Sequence, residues 1–183
     1  MSYTSKKLLA TIPDYLVALG DEINKTAMLI KELGLRVKTI YIGGGTPTIL
    51  DEKQLDWLLS VVENDFDVDS VSEYTLEAGR PDTITLDKLI TAQKFGVGRI
   101  SVNPQTMSDK VLKAIGRRHS AKDTLNAYEM AKNSGIEIIN TDLIAGLPED
   151  DFEGFKNTLD TVMELKAQNI TVHTLSLKKG SNI

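Results

Sequence analysis

The residue types able to do chemistry fall at five points along the chain. Gly43-Gly44-Gly45-Thr46-Pro47-Thr48 offers bare backbone amides and carbonyls that a ligand's ammonium or carboxylate can approach closely. The same string also serves as a plain strand-to-helix turn. It matches neither the Gly-x-Gly-x-x-Gly of a dinucleotide fingerprint nor the Gly-Lys-Ser/Thr of a P-loop. Glu77 can accept paired hydroxyls such as those of a ribose, or can simply pair with Arg80 or Arg99. Asp142, just before Leu143-Ile144-Ala145-Gly146-Leu147-Pro148, has a similar choice between ligand hydroxyls and capping the next turn. Asn103 and Gln105 bring side-chain amides. Arg117 and Arg118 follow Gly116, either as a solvated pair or as a clamp for a ligand carboxylate. His119 and His173 stand apart from each other and define no metal site; satisfied surface or core histidines are the simpler reading. No Ser/His/Asp order or paired-carboxylate spacing marks hydrolysis. No catalytic acid, base or nucleophile is assigned, and no metal ligand.

The elements that position these residues alternate in period. Leu16, Leu19, Ile23, Met28, Leu29 and Leu33 recur at near-helical spacing and predict a helix over Ile12 to Leu33, stopped by Gly34. Thr39 to Ile42 reads as a strand, and Asp51 with Gln54 as a capping box opening a helix to about Glu63. Further strands are predicted at Tyr74–Ala78, Arg99–Asn103, Glu137–Leu143 and Ile170–Leu177. Helices are expected at Thr85–Phe95, Ser108–Ile115, Ala121–Ser134 and Phe152–Lys166. Such alternation implies βαβ units and a parallel sheet. The ligand then sits beyond the carboxyl ends of the strands, where the candidate residues fall.

Side chains alternate across a strand. Thr75 and Glu77 oppose Leu76 and Ala78, Ser101 and Asn103 oppose Ile100 and Val102, and Asn140 and Asp142 oppose Ile139 and Leu143. Strands sandwiched between two helical layers are apolar on both faces. One polar face in three successive strands instead predicts a barrel with a polar interior. In the last strand, Thr171 with His173 and Thr174 with Ser176 compete for that interior. A full eightfold barrel takes roughly 250 residues, so 183 residues predict an α/β fold that is a partial (β/α) barrel with about five parallel strands. It is read as a single domain over residues 1–183 that begins on a helix whose feeding strand is absent.

Composition removes other classes. The chain carries a net charge of −5 with a pI near 5.1, so no broad basic face awaits nucleic acid. No apolar run approaches the roughly 18–20 residues that span a bilayer, and the start lacks the apolar core of a signal peptide. The expected location is the cytoplasm. With no cysteine, the chain holds no disulfide, thiolate zinc site, Cys-ligated iron–sulfur cluster or cysteine nucleophile.

Tyr41-Ile42-Gly43-Gly44-Gly45-Thr46-Pro47-Thr48, Leu76-Glu77, Gln105 through Arg117-Arg118-His119, and Asp142 to Pro148 together resemble the radical S-adenosylmethionine domain of oxygen-independent coproporphyrinogen III oxidases. This group also includes haem-chaperone relatives. The resemblance runs in order over about residues 10–180. It implies a partial barrel truncated from a radical S-adenosylmethionine barrel. By position, Gly43, Gly44 and Gly45 would contact the methionine moiety with Thr46 beside them, and Glu77 would hold the ribose. Gln105, Arg117 and Asp142 match positions lining a second S-adenosylmethionine site, and the match extends to Ser176. Asn103-Pro104-Gln105 departs from the commoner Gly-Val-Gln, and Glu77-Ala78-Gly79-Arg80-Pro81 from Glu-x-x-Pro.

The largest departure is the missing Cys-x3-Cys-x2-Cys loop, through which the family binds its 4Fe–4S cluster. Ser2-Tyr3 resembles the Ser-aromatic pair that often follows the last cysteine, and Lys178-Lys179-Gly180-Ser181 resembles one branch of the oxidases. The expectation is a fragment cut just past the cluster loop and ending after the sixth barrel strand, inactive alone. Its parent would decarboxylate coproporphyrinogen III to protoporphyrinogen IX by radical chemistry, with a tetrapyrrole substrate and an electron donor as partners. Two alternatives are a haem-binding or haem-delivery relative and a non-radical barrel binding a nucleotide or phosphate.

Overall fold

The computed structural model describes residues 9–176. Ser2-Tyr3, the Lys178-Lys179-Gly180-Ser181 ending and Leu177 of the last predicted strand lie outside them. In chain order the elements are α1 (Ile12–Glu32), β1 (Thr39–Ile42), α2 (Glu52–Asp65), β2 (Glu73–Leu76), α3 (Leu86–Lys94), β3 (Arg99–Ser101), α4 (Asp109–Ala114), α5 (Ala121–Asn133), β4 (Ile138–Ala145), α6 (Phe152–Glu164) and β5 (Asn169–Thr174). Short 3-10 turns at Pro47–Ile49, Val68–Ser70 and Pro81–Thr83 join them. No helix among the described residues is long and apolar enough to cross a membrane.

The five strands pair in chain order, each parallel to the next. Parallel crossovers share one hand. A sheet wound in one direction therefore carries its helices on a single face, the geometry of a partial barrel. The core lies under those helices. Leu76, Ile100 and Val102 from the strands meet Leu55, Leu59, Leu89, Ala127 and Tyr128 from α2, α3 and α5, all buried.

Local chemistry sets the helix starts as the sequence predicts. The Asp51 carboxylate accepts from Gln54 N–H at 2.9 Å while the Gln54 side chain accepts from Asp51 N–H at 3.1 Å. Ser120 and Asp123 form the same reciprocal cap on α5. One expectation fails in part. Leu16, Leu19 and Ile23 of α1 do pack on the core, but Met28, Leu29 and Leu33 of the same stripe stand exposed. The reason is length: at 1.5 Å per residue the 21 residues of α1 outrun the 14 of α2 against which it lies.

Candidate active site

The second face of the sheet is the polar one, and its upper half gathers the candidate residues. Thr75, Ser101 and Asn140 line it, buried but turned away from the helices. Low in this lumen, Arg99 and Thr75 both donate to Glu73 Oε1, at 3.1 and 2.8 Å. Arg80 pairs with Asp82 at 3.3 Å. Both arginines offered to Glu77 by the sequence are thus engaged elsewhere, and among the described residues Glu77 has no cationic partner. Its backbone N–H extends the β1 ladder by donating to Ile42 O at 2.8 Å.

The Glu77 carboxylate turns instead to the glycine loop. Gly44 N–H donates to Oε2 at 3.2 Å and the Tyr41 hydroxyl to the same oxygen at 3.4 Å. Oε1 takes no hydrogen bond among the described residues. Partial burial, then the neighbouring Glu77 carboxylate, push the Tyr41 hydroxyl above its ordinary range. Two glycines here are needed by geometry. A Cβ on Gly43 would stand 2.8 Å from Glu77 Oε2 and against the Tyr41 ring, and Gly44 adopts φ +114°, a conformation closed to most side chains. Gly45 faces open space. Thr46 Oγ1 donates to Gly45 O at 2.7 Å.

The loop is tied down behind. Thr48, fully buried, donates to Ala78 O at 2.9 Å and meets Thr83 Oγ1 at 2.6 Å. Lys88 Nζ donates to Thr48 O and Thr83 O at 2.7 and 3.2 Å. Its ammonium is pushed below the usual lysine range, first by burial.

Gln105 and Asp142 meet through the backbone. Gln105 N–H donates to Asp142 O at 3.1 Å and Ile144 N–H to Gln105 O at 2.9 Å. Ser101 pairs with Asn140 but Gln105 pairs with Leu143. Three residues on β3's continuation thus face two on β4, a one-residue bulge. Pro104, which has no N–H for the ladder, falls within it, and Gln105 closes it at φ 70°. His119, buried, lies with Nε2 3.3 Å from Pro104 O; its Nδ1 has no partner. Burial is the first cause holding this imidazole below its ordinary pKa. The Asp142 carboxylate accepts from Asn140 Nδ2 at 2.7 Å, so it caps no turn.

Arg117 follows α4, which a small apolar cluster of Val111, Ile115 and Leu147 anchors to the rim. Its guanidinium is half-buried, and burial, then the nearby Arg80 charge, lower its pKa against the pull of Asp82. Arg118 is exposed. On β5 the register sets Thr171 beside Asp142, and Thr171 Oγ1 donates to Asn140 Oδ1 at 3.2 Å, so Thr171 takes the interior. Ser176 lies exposed past the strand end, and among the described residues no polar contact joins it to the other candidates. Tyr41 is the site residue that sequence reasoning passed over. Its position two before Gly43, on Thr75's face, was the available signal.

Residues 13–162 match the profile of the radical SAM superfamily. The chain belongs to that superfamily. The oxygen-independent coproporphyrinogen-III oxidase-like protein HemZ of Bacillus subtilis is 39% identical over 183 residues, all of this chain and 36% of that protein. The heme chaperone HemW of the same organism is 36% identical over 165 residues, 90% of this chain and 43% of that protein. Coproporphyrinogen III oxidase HemN from Escherichia coli, a radical SAM enzyme, superposes with a TM-score of 0.81 at 30% identity, over 91% of this chain and 38% of that one. The chain therefore spans well under half the length of these relatives. Radical SAM membership implies S-adenosylmethionine and a 4Fe–4S cluster as cofactors and sets aside the non-radical barrel.

The residues present fit the first cofactor and not the second. The Gly43 cradle and Glu77 Oε1, which takes no hydrogen bond among the described residues, offer polar backbone and a carboxylate to it, and Ser101 Oγ and Asn103 Oδ1 are buried without partners on the neighbouring strand. With no cysteine among 183 residues, no thiolate for a cluster comes from this chain.

Proposed function

We propose that this chain carries the S-adenosylmethionine-binding wall of a parent protein that oxidatively decarboxylates propionate side chains of coproporphyrinogen III to vinyl groups. The observation that carries the reading is Glu77, a carboxylate with no cationic partner among the described residues, oriented by Gly44 N–H and the Tyr41 hydroxyl. In this reading Gly43, Gly44 and Gly45, with Thr46, take the methionine moiety, and Glu77 Oε1 accepts from the ribose hydroxyls. Gln105, Arg117 and Asp142 line a second S-adenosylmethionine site, with Ser176 at its edge. When bound and reduced through the cluster, the cofactor supplies hydrogen-atom abstraction. The chain's own residues bind it, orient it and keep its surroundings dry, with no acid or base among them. A tetrapyrrole and an electron donor are the partners this requires.

The identity to heme chaperone HemW favours a second reading, haem binding and delivery without decarboxylation. The test uses the full-length protein, reconstituted with iron and sulfide under anaerobic conditions. Formation of 5′-deoxyadenosine with loss of carbon dioxide from coproporphyrinogen III, both abolished in Glu77→Ala, is the expected result. Haem retention with no decarboxylation selects the second reading, and no adenosyl cleavage by the cluster-loaded protein sinks the first.

A further inference from the structure

The register of β5 fixes the face of His173. Thr171 stands level with Asp142 and donates to Asn140 Oδ1, which puts Thr171 on the lumen face. β5 stays paired with β4 through Thr174, so alternation returns the next residue but one to that face. His173 therefore stands in the lumen, level with Ile144 and about 7 Å nearer the mouth than Thr171. It is exposed and takes no hydrogen bond or ion pair among the described residues. The wall around it is rich in acceptors. Glu77 and Asp142 place two carboxylates there, and the lumen is narrow enough that Asp142, after burial and Glu77, helps to raise the Tyr41 hydroxyl pKa. Two N–H donors lower down are spent, Arg99 on Glu73 and Asn140 on Asp142. The His173 imidazole is not.

We propose that His173 is a substrate-binding residue whose ring N–H donates to a propionate carboxylate of the tetrapyrrole, one remote from the carboxylate that leaves. This rests on the tetrapyrrole partner of the reading above and deepens it. A neutral imidazole keeps one N–H and a protonated one has two, so either form can donate to a carboxylate. An anionic porphyrinogen meets like charge at Glu77 and Asp142, and a donor at His173 offsets it. Hydrogen bonds to an ionised acceptor are the stronger kind. Distance sets His173 apart from the reacting centre. Glu77, assigned to the ribose, follows β2, and β5 stands three strands on, about 14 Å around the wall at ordinary strand spacing. A carboxylate held there adds binding shared by ground and transition states, which lowers KM and leaves kcat alone.

The experiment titrates cluster-loaded full-length protein with coproporphyrin III, the fluorescent oxidised form of the substrate, and with its tetramethyl ester, which keeps the ring and masks the charges. The wild type should prefer the acid. His173→Leu should cut that preference by about tenfold, with Tm unmoved because the residue is exposed. His173→Gln, which retains an N–H donor, should keep most of it, and His173→Ala stands in should the leucine variant not fold. In turnover, the leucine variant should raise KM for coproporphyrinogen III by a similar factor at unchanged kcat. A wild type without the preference, or a variant that keeps it, overturns the proposal. Equal weakening of both porphyrins with a fallen Tm overturns it as packing. A haem complex whose axial ligation is lost in His173→Leu overturns it by making His173 an iron ligand. Turnover by the wild type is read separately: its absence fells the decarboxylation reading, whereas the acid preference alone decides His173.

Discussion

Gly45→Ala separates a ligand cradle from a mere turn. A Cβ at Gly45 meets no heavy atom within 4 Å, and the backbone there lies outside the left-handed region. The substitution is therefore free of strain. By stiffening the unfolded chain it should stabilise by about 0.4–1 kcal/mol, or roughly 1–4 °C in Tm for a domain of this size. Its methyl, however, projects into the space assigned to the methionine moiety. Overpacking a filled site costs about 1–3 kcal/mol, so the dissociation constant for S-adenosylmethionine should rise roughly 5- to 150-fold. Differential scanning fluorimetry and isothermal titration calorimetry on the anaerobically reconstituted full-length protein read the two effects separately. Gly44→Ala is the contrasting case: φ +114° makes it lose stability and affinity together. A Gly45→Ala variant that keeps its Tm and binds like the wild type would falsify the cradle.

Three further outcomes follow from the surroundings. His119 is buried with its pKa held below the ordinary value. Below about pH 6.5 the unfolded chain therefore takes up a proton that the folded chain refuses. Stability should fall as pH drops from there toward the folded pKa, and His119→Gln should flatten this limb of a Tm-against-pH curve; an unchanged limb refutes it. Thr48→Val keeps shape but removes the bonds to Ala78 O and Thr83, and should cost about 0.5–1.5 kcal/mol in chemical denaturation, since two buried hydrogen bonds go while Ala78 O keeps its Arg80 N–H donor. Asp51→Ala should cost about 1 kcal/mol through the lost cap of α2, with S-adenosylmethionine affinity unmoved; a drop in affinity would tie α2 to the site.

What was legible in the sequence was local or periodic. The caps at Asp51 and Ser120 involve residues three apart, and both form as read. The polar face of three strands needed only alternation, and it located the lumen before any strand was paired. The rest depended on distant partners. Nothing near Thr171 said which face it would take until β4 fixed the register. Met28, Leu29 and Leu33 continue a faultless helical stripe, yet their burial depends on how far α2 extends. Neither salt bridge that the sequence offered to Glu77 forms, because Glu73 and Asp82 hold the two arginines.

The bulge ahead of Gln105 shows why the second half of the site resisted reading. Alternation alone, continued from Ser101, would send Gln105 along the face of Asn103. The bulge breaks that alternation, and it exists only because Gln105 pairs with Leu143 on a strand almost forty positions away in the chain. Pro104 marks where the ladder can be skipped, but a proline in a strand tail fits several geometries. The strained φ of Gln105 persists because two ladder hydrogen bonds, to Asp142 and from Ile144, hold it from both sides. His119 closes on the Pro104 carbonyl that the bulge turns outward. The Arg117-Arg118-His119 triplet thus divides its work by depth: His119 supports the backbone of Gln105, Arg117 keeps a half-buried charge at the rim, and Arg118 faces solvent. Spacing alone showed three basic residues in a row; the fold sets them at three depths, His119 buried, Arg117 half-buried and Arg118 exposed.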